Sequence, residues 1–256
     1  MIIDVNGYYG TWPYWPLRHG DAPSLLAWLD RCGIDRVFLG SLRAVFSDPH
    51  AGNREILELV QAHPDRLAPA LTYSPYAAHQ ERYRSDWEEG RTGIVKLFPL
   101  QHTYNPLEES FIHELMSFCG ERGLPVMIPY RLMMSWRFPT LDLQKIAVLA
   151  ARYPQTVFII GSINYLAELQ TTLSIMQQHA NVYLETSGMM AFHEIERVVE
   201  QIGSDRLLHG SCIPLQNPAI GPLKIQKANL SVSDKERILG LNVQHLFQRF
   251  QKSRQV

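Results

Sequence analysis

Three cysteines in 256 residues, Cys32, Cys119 and Cys212, are too few and too scattered for a disulfide framework, and no C-x-x-C pair offers a zinc or redox site. An odd, dispersed set of thiols predicts a reducing cytosol. Charge of one sign is also missing. Twenty-four Lys and Arg balance 25 Asp and Glu, which removes the global electrostatic argument for nucleic acid or an acidic membrane as partner. No apolar run reaches the roughly 18 residues a membrane helix needs, and the amino terminus lacks the basic start and apolar stretch of a signal peptide. The chain is therefore expected to be soluble, cytoplasmic and unprocessed. Neither G-x-G-x-x-G nor G-x-x-x-x-G-K-[ST] follows a candidate strand, so both nucleotide fingerprints are absent, and His193-Glu194 lacks the second histidine of H-E-x-x-H.

What is present is a steady rhythm. The first ten residues, MIIDVNGYYG, read as a buried strand running into a turn. By period-2 alternation Asp4, Asn6 and Tyr8 share one face, with Ile2, Ile3 and Val5 supplying apolar packing. TWPYWPLRHGD, threaded by Pro13 and Pro16, is too constrained for a regular element. A helix follows from about Asp21 and is closed by Gly33, where the left-handed conformation costs glycine little. DRVFLGS, RLAPALTY, TGIVKLFP, LPVMIPY, TVFIIGS, NVYLETSG and DRLLHGS are seven further short apolar strands. Between them lie helical stretches: GNREILELVQAHP, Ala77 to Glu89, PLEESFIHELMSFCGERG opening at Pro106, and the segments Leu141 to Tyr153, Leu166 to His179 and Ala191 to Ile202. The tail from about residue 218 holds extra helices, the last opened by Ser233 and Glu236 as a capping box.

Eight apolar runs alternating with amphipathic helices through short loops predict a single-domain parallel (β/α)8 TIM barrel over residues 1–256, with an open doubly wound sheet as the alternative. In a barrel, active sites gather at the carboxyl ends of the strands, and a mid-strand charge buried on both faces needs a wet or paired place. Lys96 in IVKLF, Glu185 in YLETSG and Arg131 after MIPY are such charges. Lys96 is expected either to face a ligand or to form a structural ion pair, with Glu185 as the candidate partner. Asn6, Tyr8, Ser162 and Asn164 would line the same mouth with neutral hydrogen-bonding groups. Trp12, Tyr14, Trp15, Trp136, Arg18, His19, Arg43, Tyr104 and Arg137 fall on predicted loops after strands. Aromatic and arginine-bearing loops suit a flat or carboxylate-bearing ligand, and equally suit the interface of a homo-oligomer. His113, His179, His193 and His245 sit in or at the ends of helices and read as solvated or capping histidines. His209 and Cys212 are an odd three residues apart, which points their side chains to opposite faces of a regular strand.

The strand ends, in order and spacing across nearly the whole chain, resemble the amidohydrolase-related branch of the metal-dependent amidohydrolase superfamily. The pieces are MIIDVNGYYG, GIVKLFP, GLPVMIPY, ARYPQTVFIIGS, NVYLETSG, and DRLLHGSCIP followed by SDKERILGLNVQHLF. The resemblance implies a (β/α)8 barrel and hydrolase or decarboxylase chemistry. It also implies metal ligands at five places: a histidine pair after the first strand, single histidines after the fifth and sixth, and an aspartate after the eighth. Here those places hold Asn6, Tyr8, Pro129, Ser162 and Cys212. One thiolate cannot hold zinc or a similar ion at useful affinity, so no metal centre of that type and no other cofactor is expected. Cys212, in the aspartate's place, is either a nucleophile beside a cation or a small packed thiol. Two readings follow. One is an enzyme that has abandoned the metal, hydrolysing or decarboxylating a small molecule with Lys96, Tyr8 and Cys212 as catalytic residues and Asn6, Trp12, Arg43, Arg131, Ser162, Asn164 and Glu185 binding substrate. The other is a non-catalytic barrel that binds a small molecule or a protein partner.

Overall fold

A computed structural model describes residues 1–76, 92–132, 141–164 and 166–253. The helix expected from Ala77 to Glu89, and Trp136 and Arg137, lie outside the described residues. Eight parallel strands follow one another around a sheet in sequence order: β1 Ile3–Tyr9, β2 Arg36–Ser41, β3 Leu67–Thr72, β4 Ile94–Lys96, β5 Val126–Pro129, β6 Phe158–Gly161, β7 Val182–Glu185 and β8 Leu207–Leu208. The sheet closes by backbone bonds between β1 and the segment at and after β8: Val5 N–H to His209 O (3.0 Å), Cys212 N–H to Asn6 O (2.9 Å) and Tyr8 N–H to Ile213 O (2.7 Å). All eight strands fall on the eight apolar runs of the sequence, in a TIM barrel. No helix among the described residues is long and apolar enough to cross a membrane.

The helices alternate with the strands: α1 Ala22–Arg31, α2 Leu42–Phe46, α3 Pro49–Ala62, α4 Ser110–Arg122, α5 Leu143–Arg152, α6 Leu166–Gln178 and α7 Glu194–Ile202. After β8 come α8 Ile220–Lys227 and α9 Val232–Glu236, then a π-helical turn, Arg237–Leu241, leading into α10 Asn242–Ser253. Gly33 ends α1 at φ +66°, as expected. Two helix starts differ from the sequence expectation. α4 begins at Ser110 rather than at Pro106, because residues 106–108 form a turn in which the Leu107 amide is held by Asn105 Oδ1 (3.3 Å). The cap of α9 is built two residues earlier than expected. Ser231 Oγ accepts from the Asp234 amide (3.1 Å) and donates to the Asp234 carboxylate (2.6 Å), which leaves Ser233 and Glu236 inside the helix.

Two apolar layers make the core. Outward residues of the strands, among them Val37, Leu39, Val95, Val126 and Ile160, pack against the helices. Inward residues, including Phe38, Ala70, Ile94, Met127, Ile159 and Leu208, fill the lumen together with Ile3 and Val5 of β1. That last placement overturns the expected alternation of β1. The pairing of β1 with β2 shifts register between Asp4 and Gly7. At such a bulge two consecutive residues face one side, so Val5 and Asn6 both turn inward. Asp4 stays on the outer side, where its carboxylate takes the Ser211 hydroxyl and amide, and it also accepts from the Asn6 amide (2.9 Å) that the bulge frees. Asn6 and Tyr8 share a face; Asp4 does not share it.

Side chains also lock helices to strand ends. Asn53 of α3 is buried, accepting from the Thr72 amide (2.8 Å) and donating to the Thr72 carbonyl (2.7 Å), as a neighbouring strand would. Asn53→Ala is expected to leave both backbone groups of Thr72 unpaired and lower stability by about 3 kcal/mol, read from the urea midpoint at unchanged m value.

Candidate functional site

At the carboxyl end of the lumen, β4 delivers Lys96, fully buried, to the inward-facing Asn6. Lys96 Nζ donates to Asn6 Oδ1 (2.9 Å) and to the Gly7 carbonyl (3.1 Å), and lies 3.8 Å from the centre of the Tyr8 ring. Its three protons are thus directed at two oxygens and one aromatic face. Asn6 passes the link on: Nδ2 donates to Glu185 Oε1 (3.1 Å), and its second proton has Ser187 Oγ and Cys212 Sγ within reach, each at 3.4 Å. The expected ion pair between Lys96 and Glu185 is therefore not direct, because the Asn6 amide stands between them.

Glu185, at the end of β7, is the acceptor hub. Besides Asn6 it takes the Ser162 amide (2.6 Å), the Ser187 amide (2.7 Å) and the Ser187 hydroxyl (2.6 Å). Room for it comes from residues without side chains. A Cβ on Gly210 would overlap Glu185 Oε2, and one on Gly161 would stand 3.1 Å from Oε1. Ser162 and Cys212, at the ends of β6 and β8, touch through Oγ and Sγ (3.7 Å) and are both held at left-handed φ, +59° and +58°. Two non-glycine residues in that conformation at one barrel mouth are a local strain the surrounding bonds must maintain.

Burial governs the protonation of this cluster. It draws the Lys96 ammonium down to about 8, against the opposing pull of Cys212, Asp4 and Glu185. Burial, reinforced by the Glu185 charge, pushes the Cys212 thiol up to about 12, so the sulfur carries its proton at neutral pH. Burial likewise raises the Tyr8 phenol.

The other expected site residues divide into those that join this cluster and those that do not. Trp12 is buried against it in one apolar layer with Tyr8, Leu42, Phe98, Leu132 and Cys212. Arg131 is buried but paired with Glu168 of α6, whose other oxygen accepts from the Asn164 amide (3.1 Å). Arg43 is exposed on α2, apart from the cluster. Tyr104 belongs to the outer core, and His19 packs at a tilt against Trp28 with ring centres 4.5 Å apart. His209 points outward, its ring nitrogen 3.1 Å from the Ile3 carbonyl, while Cys212 points in. Ser187 escaped the sequence reading although it carries two bonds to Glu185; its position two residues after a mid-strand glutamate was the available signal. Lys224 of α8 escaped it too. Its ammonium caps the end of β7 through the carbonyls of Thr186, Ser187 (3.4 Å) and Met189 (2.9 Å).

Against this geometry the relatives can be set. The amidohydrolase family pattern matches residues 16–249. The chain belongs to the amidohydrolase family. No curated protein matches it by sequence. Among solved structures it is similar to 2,6-dihydroxybenzoate decarboxylase from Rhizobium, at 16% identity and TM-score 0.73, covering 97% of this chain and 98% of that one. It is also similar to 4-oxalomesaconate hydratase from Rhodopseudomonas palustris, at 16% identity and TM-score 0.74, covering 100% and 98%. A third is 5-carboxyvanillate decarboxylase from Novosphingobium aromaticivorans, solved with manganese and 4-hydroxy-3-methoxy-5-nitrobenzoic acid, at 14% identity and TM-score 0.73, covering 97% and 96%. At these identities the likeness is one of fold.

The described residues at the strand ends do not fit a divalent metal. Among the described residues, no group of three or more His, Cys, Asp or Glu side chains is placed to hold one. The Glu185 carboxylate already accepts four hydrogen bonds, and the Lys96 ammonium lies on the far side of the Asn6 amide that links them. Of Asn6, Tyr8, Pro129, Ser162 and Cys212, only Cys212 carries a side chain of the kind that binds such an ion, and one sulfur alone does not make a site.

Proposed function

We propose that this barrel is a metal-independent amidohydrolase-family protein that takes a small carboxylate-bearing molecule at its carboxyl-terminal mouth and hydrolyses or decarboxylates it. The observation that carries this reading is the Lys96 ammonium, buried and held on Asn6, Gly7 and Tyr8 where the relatives' fold gathers its chemistry. A fixed cation in a low-dielectric setting stabilises a carboxylate, or the negative charge that develops as one leaves, without reorganising. Lys96 supplies that charge. Tyr8 and Cys212, both protonated at neutral pH, act as proton-bearing groups rather than as anionic nucleophiles. Glu185, Ser162 and Ser187 hold Asn6 in the orientation Lys96 needs, and the aromatic layer around Trp12 receives the apolar body of the ligand. Two of the structural neighbours are decarboxylases named for aromatic carboxylates, which makes 2,6-dihydroxybenzoate and benzoate suitable first probes. The protein works in the cytosol, where three dispersed free thiols stay reduced. The exposed Tyr14 and Trp15 suit contact between copies in a homo-oligomer.

A second reading, a binder without turnover, is favoured by one observation: all three Lys96 protons are engaged. The two separate in one experiment. Metal-stripped protein is titrated with benzoate and 2,6-dihydroxybenzoate by calorimetry, and carbon dioxide release is followed alongside hydrolysis of small aryl esters. Binding with turnover that chelator leaves unchanged is expected. Binding without turnover moves the protein to the second reading, and activity that returns only with manganese or zinc overturns metal independence.

A further inference from the structure

Two buried hydrogen-bond donors at the mouth have no partner among the described residues. They are the Tyr8 hydroxyl and the Trp12 indole Nε1, whose side chains are 0% and 2% exposed. A buried donor left unpaired destabilises the fold, so two in one apolar cluster need a reason beyond packing. Their neighbours, Leu42, Val45, Phe98 and Leu132, supply no acceptor side chain. The Glu185 carboxylate, part of the same strand-end cluster, is already filled by donors from Asn6, Ser162 and Ser187. Both rings are also fixed. Trp12 is wedged against Phe46, Tyr14 and Trp15 with ring centres 5.2, 5.3 and 5.5 Å away, and Tyr8 packs on Phe98 at 6.5 Å with Lys96 on its face. A third unpartnered hydroxyl, that of Thr72, lies on β3 in register with Lys96, at the same end of the lumen.

We infer that the Tyr8 hydroxyl and the Trp12 indole N–H are the donors that read the acceptor edge of the bound molecule and set which molecules the mouth accepts. The inference rests on the proposed ligand-binding mouth and deepens it. The ligand class is a flat, apolar-bodied molecule with acceptor oxygens on one edge, such as an aromatic carboxylate. Lys96 contributes charge from behind the Tyr8 ring, and the two pre-set donors contribute direction and discrimination, a division that compensates for the absent metal ligands. A site built to donate two hydrogen bonds rejects an isostere lacking the acceptors, because the donors then stay unpaired.

The test compares Tyr8→Phe and Trp12→Phe with the parent protein, using calorimetric affinity for benzoate and for benzyl alcohol and the melting temperature without ligand. Tyr8→Phe deletes one oxygen only. It is expected to leave the melting temperature unchanged or higher, since an unpaired buried hydroxyl is removed, and to weaken benzoate about tenfold while benzyl alcohol changes little. Trp12→Phe is expected to shift the same preference in the same direction, whatever it does to stability. A hydroxyl with a purely structural role gives the opposite pattern for Tyr8→Phe, a lower melting temperature with affinity intact, and that result overturns the inference. Equal benzoate affinity in the parent and both variants also overturns it and leaves the proposed function standing. A parent protein that binds no carboxylate probe overturns both.

Discussion

Glu185→Ala is expected to lower the free energy of unfolding by roughly 5 kcal/mol, a third or more of what a domain ordinarily has. The carboxylate takes bonds from the amides of Ser162 and Ser187, the Ser187 hydroxyl and the Asn6 side chain, and alanine returns none of them. The two amides are part of the backbone and cannot turn elsewhere, and each stranded donor costs about 1–3 kcal/mol. Removing the anion also leaves the buried Lys96 charge without its relayed counter-charge. Glu185→Gln is expected to cost less, near 2 kcal/mol, because one oxygen remains while the new amide group faces the Ser187 amide donor to donor. Urea unfolding at constant m value measures both. Because the alanine variant leaves a carboxylate-shaped gap lined by donors, acetate or formate in the buffer is expected to restore part of the loss, by mass action on the native state alone. A loss under about 1 kcal/mol would show that this carboxylate is not the keystone described above.

The second large effect is a pH dependence. Lys96 falls to about 8 in the folded protein from a usual value near 10.5. Between those two values the unfolded chain holds a proton that the native state has released, so native stability rises with pH across that window. The stabilisation is fully present only above about 10.5 and is lost as pH falls through 8. Lys96→Met keeps most of the volume and has nothing to titrate. From pH 7.5 to 10.5 the parent protein is therefore expected to gain on the order of 3 kcal/mol relative to Lys96→Met. Near pH 7 the two proteins are expected to be closer in stability, because methionine relieves the burial of a charge but strands Asn6 Oδ1 and the Gly7 carbonyl. Lys224, drawn to about 8 by its own burial, and the buried tyrosines and thiols titrate in both proteins and cancel in the difference. Parallel stability curves for the two proteins across this range would place the Lys96 ammonium in water. The same variant is expected to lose benzoate affinity at pH 7.

The architecture was legible because it follows from local pattern. Each strand run, from DRVFLGS to DRLLHGS, is short, apolar and bounded by turn residues, and the helices between them announce their ends, as Gly33 does. The site was legible in part. Lys96 and Glu185 stood out because a charge in a doubly buried strand must have a partner. Which partner was not legible. The Asn6 amide that joins them depends on a bulge between Asp4 and Gly7, and the pleat, read residue by residue, placed Asp4 on the wrong side of the barrel wall. Ser187, Gly161 and Gly210 went unread for another reason: Ser187 accepts from Asn6 of β1, and the two glycines make space for Glu185, contacts with side chains of other strands. Arg131, expected to bind substrate, forms an ion pair with Glu168, 37 positions away, a partner the sequence did not announce.

By itself the sequence determined the eight-strand barrel, since periodicity is a property of the chain read in order, and the resemblance of its strand ends to the family implied that Asn6, Tyr8, Pro129, Ser162 and Cys212 stand at the family's ligand places. The tertiary structure alone decided which groups meet at those strand ends. Asn6 meets Lys96 across 90 positions and Glu185 across 179. Closing the barrel brings those three strand ends to one point, and the low dielectric there makes a buried ammonium, a clamped carboxylate and two unpaired donors matter far more than they would along an open chain.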